Sequence, residues 1–225
     1  LWCKENLGRN PAELLAVSNK YFSFENRRFT IYSRFKRLFD ILFSLILLLI
    51  TLPIILLACL CIFVEDKGPI LYSQIRTGYL GKTFRIWKIR SMKVNSEKNG
   101  PVWSFKNDTR TLKFGKFLRN TRLDELPQLI SVISGEMSLI GPRPERPELE
   151  VVLERDLPNY MFRYQTKPGL SGWAQINYPY GASVQDSNNK LSYDLFYIFE
   201  YSFLIDLIIF IKTIRIILKG SGSKP

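Results

Sequence analysis

Apolar positions gather in two long segments and are broken up everywhere else. Ile41 to Val64, "ILFSLILLLITLPIILLACLCIFV", is a run of about 24 residues without a charge, long enough as a helix to cross a hydrocarbon core of ~30 Å. Pro53 near its middle removes a backbone donor and crowds the preceding turn, which predicts a kink or break. Near the other end, "LFYIFEYSFLIDLIIFIKTIRIILKG" is strongly apolar but carries Glu200, Asp206, Lys212 and Arg215. At about 100° per residue the last three of these fall within half of a helix circumference. Charges at those depths argue against a second span and for a helix lying in the membrane interface.

Between these segments the periodicity shortens. Ile70 to Ser73 and Thr83 to Ile89 read as short strands on either side of the turn-prone "RTGYLGK". Thr121 followed three residues later by Asp124 has the spacing of a helix capping box ahead of an apolar helix. Glycines and prolines then punctuate "GPRP" and "KPGLSGWAQINYPYGAS". The pattern divides the chain into an N-terminal linker over 1–33, a membrane helix over 34–64 and a domain over 65–225 that ends in the interfacial helix. The predicted class is α+β and predominantly helical: a monotopic membrane protein with a Pro-broken re-entrant helix, a small β element and interfacial amphipathic helices.

Charge sharpens this picture. Lys+Arg number 32 against 20 Asp+Glu, a formal net charge of +12, which suits nucleic acid, phospholipid headgroups or phosphorylated substrates. Basic residues flank the apolar run on both sides, Arg27, Arg28, Arg34, Lys36 and Arg37 before it and Lys67, Arg76, Lys82, Arg85, Lys88, Arg90 and Lys93 after it. The positive-inside rule puts both flanks in the cytoplasm, which a straight span cannot satisfy and a helix bent at Pro53 can. The competing arrangement is an ordinary kinked span. The chain has no histidine, so Ser-His-Asp hydrolysis, HExxH zinc sites and histidine phosphotransfer are excluded. Cys3, Cys59 and Cys61 show no metal or redox spacing. The sequence opens on Leu1 without a signal-peptide pattern and reads as the C-terminal part of a longer chain.

Four stretches can carry chemistry. In "FRIWKIRSMK", Arg85, Lys88 and Arg90 are either a solvated basic face or a cationic wall for a diphosphate. Asp124 is a helix-start acid or, with Glu125, half of a carboxylate pair able to hold a hard divalent cation and present a nucleophile. Arg143, fixed between Pro142 and Pro144, either pairs locally with Glu145 or Glu148 or binds phosphate with little loss of freedom. In the last stretch, Gly169 and Gly172 allow close approach to a ligand, and Trp173, Tyr178 and Tyr180 can stack on a base or sugar. A packed surface loop explains that stretch equally well.

The order "FRIWKIRSMK", "LRNTRLDELPQL", "GEMSLIGPRPE", "KPGLSGWAQIN" and "YDLFYI" behind a Pro-broken apolar segment resembles the bacterial sugar transferase family. These are monotopic polyprenyl-phosphate phosphoglycosyl transferases of the bacterial inner membrane, with the catalytic domain on the cytoplasmic face. They act at the first membrane step of exopolysaccharide, capsule and O-antigen synthesis. The resemblance implies a sugar 1-phosphate transferred from a UDP-sugar to polyprenyl (undecaprenyl) phosphate through a phosphosugar-aspartyl intermediate, with release of UMP. It implies Asp124 as nucleophile, Glu125 as its partner at a Mg²⁺ site held by both, and Lys88, Arg90, Arg119 and Arg143 as phosphate ligands. Lys167, Trp173, Gln175 and Asp194 fall in or near the nucleotide and sugar loop, and Pro53 at the membrane break. Leu52 stands where some members have Ser, and "INYPYGAS" replaces a common Asn-Gly-Arg turn, which favours a glucose or galactose donor. Two other functions compete: a catalytically inactive membrane scaffold of the same fold, and a basic nucleic-acid binder, against which the apolar segment counts. A homo-oligomer stays open.

Overall fold

The computed structural model describes residues 8–9, 31–96, 108–178 and 183–219. Helix α1 (Ile31–Glu65) begins well ahead of the apolar run and stays helical through Pro53 without interruption. Proline offers no N–H there, so the carbonyl of Leu49 lacks its usual intrahelical donor. The Thr51 hydroxyl meanwhile donates to the carbonyl of Leu47 at 2.7 Å. Asp40, Ser44, Thr51, Ala58 and Ile62 form one buried stripe at helical spacing. Leu42, Leu45, Leu49, Leu56 and Leu60 are exposed around it. Among the described residues, this is the helix long and apolar enough to cross a membrane.

Strands β1 (Leu71–Thr77) and β2 (Thr83–Ile89) pair antiparallel with Tyr72 opposite Lys88 and Gln74 opposite Ile86. Because side chains alternate, Ile86 and Lys88 turn inward while Trp87 stays exposed. Helix α2 (Lys113–Thr121) starts where α1 ends, for the Glu65 carboxylate accepts from the backbone N–H of Lys113 at 2.7 Å and of Phe114 at 2.9 Å. That carboxylate caps orphan donors at a helix N-terminus from outside the helix. Ala58, Ile62, Ile89, Leu112 and Leu118 close a small core at this junction.

The expected capping box is absent. Thr121 is the last residue of α2, and its hydroxyl donates back to the carbonyls of Phe117 and Leu118. Arg122 then turns left-handed at φ 61°, ending the helix and opening a 3₁₀ turn over Leu123–Gln128. The reciprocal box lies instead at Ser183 and Asp186, at the head of α6 (Val184–Glu200).

Helix α3 (Leu129–Ser134) follows the 3₁₀ turn and stops at Gly135, φ 95°. Strand β3 (Ser138–Ile140) pairs in parallel with β4 (Gly169–Ser171). Between them lie α4 (Pro147–Asp156) and a 3₁₀ turn over Tyr160–Gln165. After β4 come α5 (Trp173–Asn177), α6 and α7 (Phe203–Leu218). The main core joins Leu129, Val132, Met137, Ile140, Tyr197 and Ile209, and Leu153, Leu157, Leu191 and Leu195 form a second between α4 and α6.

Of the α7 charges, Lys212 and Arg215 are exposed, but Asp206 does not share their face. Asp206 is buried, where its carboxylate accepts from Lys36 Nζ and the Tyr32 hydroxyl, both at 2.6 Å, and from the Tyr197 hydroxyl at 2.8 Å. The first turns of α1 pack across α7, and an acid enclosed there needs a cation and hydroxyls to replace water. Lys212 lies 5.5 Å above the Trp173 ring. The exposed residues of α7 are mostly apolar, Phe203, Leu204, Leu207, Ile211, Ile214 and Leu218, with Lys212 and Arg215 exposed among them.

Candidate active site

The left-handed Arg122 ends α2 so abruptly that the next residues run beneath the β-hairpin rather than continuing the helix axis. Asp124 and Glu125 are both buried there, 8% and 6% exposed. Glu125 is enclosed by cations. Lys88 Nζ donates to its Oε1 at 2.8 Å, Arg143 Nη2 to the same oxygen at 2.5 Å, and Arg143 Nη1 and Arg122 Nη1 approach Oε2 at 3.3 and 3.4 Å. Arg143 thus holds Glu125 through both guanidinium arms, the fork geometry only arginine offers.

The two acids are driven apart. Burial, and then the adjacent Glu125 charge, push the Asp124 carboxyl up to about 6 against the pull of Lys88, Arg119 and Arg122. Burial also acts to raise Glu125, but Arg143, Lys88 and Arg122 overcome it and hold that carboxyl well below the usual range. Burial lowers the Lys88 ammonium, with Glu125 opposing. Among the described residues no hydrogen-bond donor is placed on Asp124, and no group of three or more Asp, Glu, Cys or His is spaced to share a metal.

The segment carrying Arg143 is pinned by the Gly141 N–H and otherwise through its carbonyls, since its prolines donate nothing. Gly141 N–H donates to the Ser171 carbonyl at 2.9 Å, Gly169 N–H to that of Pro142 at 2.8 Å and Thr77 N–H to that of Glu145 at 3.1 Å. Arg76 Nη1 donates to the carbonyl of Pro144 at 3.1 Å and Arg163 Nη2 to that of Arg143 at 2.7 Å. Gly169 and Gly172 serve close approach of backbone to backbone. A Cβ on Gly169 would lie 2.0 Å from the nitrogen of Gly141, and one on Gly172 would lie 2.2 Å from its oxygen. Arg143 pairs with neither Glu145 nor Glu148: Glu145 meets Arg76 at 3.5 Å and Glu148 meets Arg146 at 3.6 Å.

The other sequence candidates scatter. Arg119, half-buried near the end of α2, acts on Asp124 through its charge. Arg90 is buried and committed to Asp66 through the carboxylate and the backbone carbonyl. Lys167 lies beside Arg37 and Asp40 of α1. Trp173 stacks on Phe196 at 5.6 Å and donates its indole N–H to the Gly8 carbonyl at 2.6 Å. Gln175 Nε2 donates to the Leu170 carbonyl at 3.2 Å. Tyr178 donates to Asp186 at 3.0 Å, and Tyr180 lies outside the described residues. Asp194 is buried in an ion pair with Arg163 at 2.9 Å. The sequence reading passed over Arg122 and Arg163; Arg122, directly before "LDE", was the more visible of the two.

Residues 31–220 match the family described as bacterial sugar transferase. The chain belongs to that family. It is 41% identical over 194 residues to UDP-N-acetylgalactosamine-undecaprenyl-phosphate N-acetylgalactosaminephosphotransferase of Aeromonas hydrophila, covering 86% of this chain and 46% of the relative. It is 40% identical over 182 residues to UDP-glucose:undecaprenyl-phosphate glucose-1-phosphate transferase of Klebsiella pneumoniae, covering 80% and 39%. A Caulobacter vibrioides protein of that same name is 35% identical over 190 residues, covering 84% and 71%. The chain therefore spans less than half the length of the first two.

Proposed function

We propose that this chain carries the catalytic unit of an enzyme that moves a sugar 1-phosphate from a UDP-sugar to undecaprenyl phosphate. The observation that carries the reading is the charge around the acid pair. Four cations, Lys88, Arg119, Arg122 and Arg143, act on two carboxylates, and the surplus of two positive charges matches a diphosphate. Asp124 needs no base to become a nucleophile: with its carboxyl near 6 it is mostly ionised at neutral pH yet more basic than an ordinary aspartate. One of its oxygens attacks the β-phosphorus, and the bond from that phosphorus to the bridging oxygen breaks. UMP leaves with the bond's electrons. An oxygen of undecaprenyl phosphate then attacks the same phosphorus, releasing the Asp124 carboxylate and forming undecaprenyl diphosphate sugar. Arg143, Lys88 and Arg122 neutralise the charge that builds on the phosphates.

The donor set accommodates Mg²⁺ only in part. Lys88, Arg122 and Arg143 already occupy both Glu125 oxygens, so Asp124 is the carboxylate open to a cation, with substrate phosphates and water as its remaining ligands. When bound there, the ion would offset charge on the departing phosphate.

The donor we favour carries glucose or galactose. N-acetylgalactosamine is the natural comparison, since the Aeromonas relative is named for it.

The way α1 is tied down supports a membrane placement. Arg37 donates to the carbonyls of Val132 at 2.6 Å and Ile133 at 2.8 Å, and Asp40 accepts from Leu139 N–H at 3.2 Å. At the other end Glu65 caps α2. A straight helix crossing a bilayer separates its ends by ~30 Å of hydrocarbon, whereas polar anchoring of both ends to one domain supports a helix that bends at Pro53 and enters and leaves by the same face. The apolar faces of α1 and α7 are then covered by the inner leaflet of the cytoplasmic membrane, with the domain on the cytoplasmic side. There a soluble nucleotide sugar and a lipid phosphate can meet.

The test is UMP release from UDP-glucose, UDP-galactose and UDP-N-acetylgalactosamine by protein in nanodiscs with Mg²⁺ and undecaprenyl phosphate. One donor should turn over, Asp124→Asn should abolish it, and intact mass should find a phosphosugar adduct on the unmutated protein when the lipid is withheld. Turnover by the Asn variant at the unmutated rate would remove Asp124 as nucleophile.

A further inference from the structure

Arg163 is the most completely engaged side chain near the site, and none of its partners is one of the two acids. It lies in the 3₁₀ turn after α4. Its Nε donates to Asp194 Oδ2 at 2.9 Å, its Nη1 to the Tyr160 hydroxyl at 2.6 Å and its Nη2 to the main-chain carbonyl of Arg143 at 2.7 Å. Its carbon also lies 5.0 Å over the Tyr160 ring. The side chains of Arg163 and Asp194 are 9% and 4% exposed. A fully enclosed ion pair contributes little net stability, because desolvation offsets the attraction, so its use is better sought in the geometry it fixes.

What it fixes is a carbonyl with few other ways to be held. Pro142 and Pro144 flank Arg143 and supply no N–H, and the segment is located by what its carbonyls accept. The bonds to the carbonyls of Pro142 and Glu145 come from main-chain N–H groups, whereas those of Arg143 and Pro144 depend on two arginine side chains. Displacing the Arg143 carbonyl would rotate its Cα and swing the guanidinium away from Glu125, 18 positions back in the chain. Displacements of about 1 Å at a positioning group are enough to cost about 100-fold in rate.

We propose that Asp194 and Arg163 are positioning residues for the diphosphate-binding arginine: Asp194 orients the Arg163 guanidinium, which holds the Arg143 main chain so that its fork faces the acid pair. This rests on the function proposed above. It reassigns Asp194 from ligand contact to support and gives Arg163 a role that acts only through Arg143. Tyr160, which accepts from Arg163 and approaches Glu150 at 3.5 Å, fixes the third side of the same guanidinium.

A double-mutant cycle in nanodiscs tests it, reading kcat and KM of UMP release from the best of the three donors. Arg163→Met and Asp194→Asn are each made alone and with Arg143→Ala. In the otherwise unmutated chain each should lower kcat/KM by about 10- to 100-fold, mainly through KM for the UDP-sugar. Arg163→Lys, which restores the charge and a single donor, should recover part of the loss. Beside Arg143→Ala, the same substitutions should change the residual kcat/KM by less than about 2-fold. Equal losses in both backgrounds would overturn the proposal, since the residues would then act without Arg143. If Arg163→Met fails to fold, judged by its thermal transition, the Asp194→Asn and Arg163→Lys cycles decide the matter by the same criterion. Absence of UMP release from every donor by the unmutated protein would overturn the functional reading and this proposal with it, whereas an additive cycle in an active protein overturns this proposal alone.

Discussion

Arg143 reaches back 18 positions to lay both arms of its guanidinium on Glu125, at 2.5 and 3.3 Å. With Lys88 and Arg122, that contact holds Glu125 well below the usual carboxylate range. Glu125 is held ionised, and its charge, together with burial, raises Asp124.

Removing the Glu125 charge should therefore move the acid limb of activity. In the proposed mechanism Asp124 acts as a carboxylate, so turnover should fall as pH drops through its raised value of about 6. In Glu125→Gln the repulsion is gone while Lys88, Arg119 and Arg122 remain, so the Asp124 carboxyl falls and the acid limb shifts to lower pH. The rate at neutral pH should drop by about 100-fold as the cations lose their anchor. A pH profile of kcat/KM checks both, and an acid limb that stays in place would mean Asp124 does not set it.

Arg143→Lys keeps the charge and loses the fork. A lysine between two prolines can place one donor on Glu125 or on a phosphate but not two in parallel. kcat/KM for the UDP-sugar should fall by about 10- to 100-fold, with the fold intact by circular dichroism. Activity within about 2-fold of the unmutated protein would show that a point charge is sufficient.

Gly115→Ala should destabilise the junction of α1 and α2. The added Cβ would lie 2.1 Å from the Ser91 carbonyl oxygen, with backbone rather than a flexible side chain in the way. Forcing α2 outward should cost about 1–3 kcal/mol, visible as a lowered thermal midpoint in nanodiscs.

Topology is open to direct measurement. With native cysteines replaced, Ser33→Cys and Lys82→Cys should both be protected from an impermeant maleimide in intact cells and both be labelled once the membrane is opened. Labelling of Ser33→Cys alone in intact cells would make α1 an ordinary span.

Much of the fold was legible along the chain. The apolar run, the two hairpin strands and the apolar C-terminal helix each rest on a local period, and the structure places elements on all of them. Arg122 and the capping box show where that legibility stops. The spacing of Thr121 and Asp124 suits a helix start, but Thr121 ends α2 and Arg122 turns left-handed after it, in a segment that packs Gly115 on Ser91 and Glu125 against Lys88 of the hairpin. Asp206 is similar: its helical angle suggested a wet face, and the packing of α1 across α7 enclosed it.

The sequence by itself determined the ingredients. With no histidine, an adjacent pair of acids, an arginine between prolines and a long uncharged run, it excluded histidine chemistry and pointed to carboxylates and cations beside an apolar helix. These are properties of residue type and short spacing, which survive without a fold. Only the tertiary structure decided that Glu125 gathers Lys88, Arg122 and Arg143 while Arg90 goes to Asp66, and that Asp194 pairs with Arg163. The physical reason is that buried charges must find opposite partners, and which partner lies within reach depends on how distant segments cross.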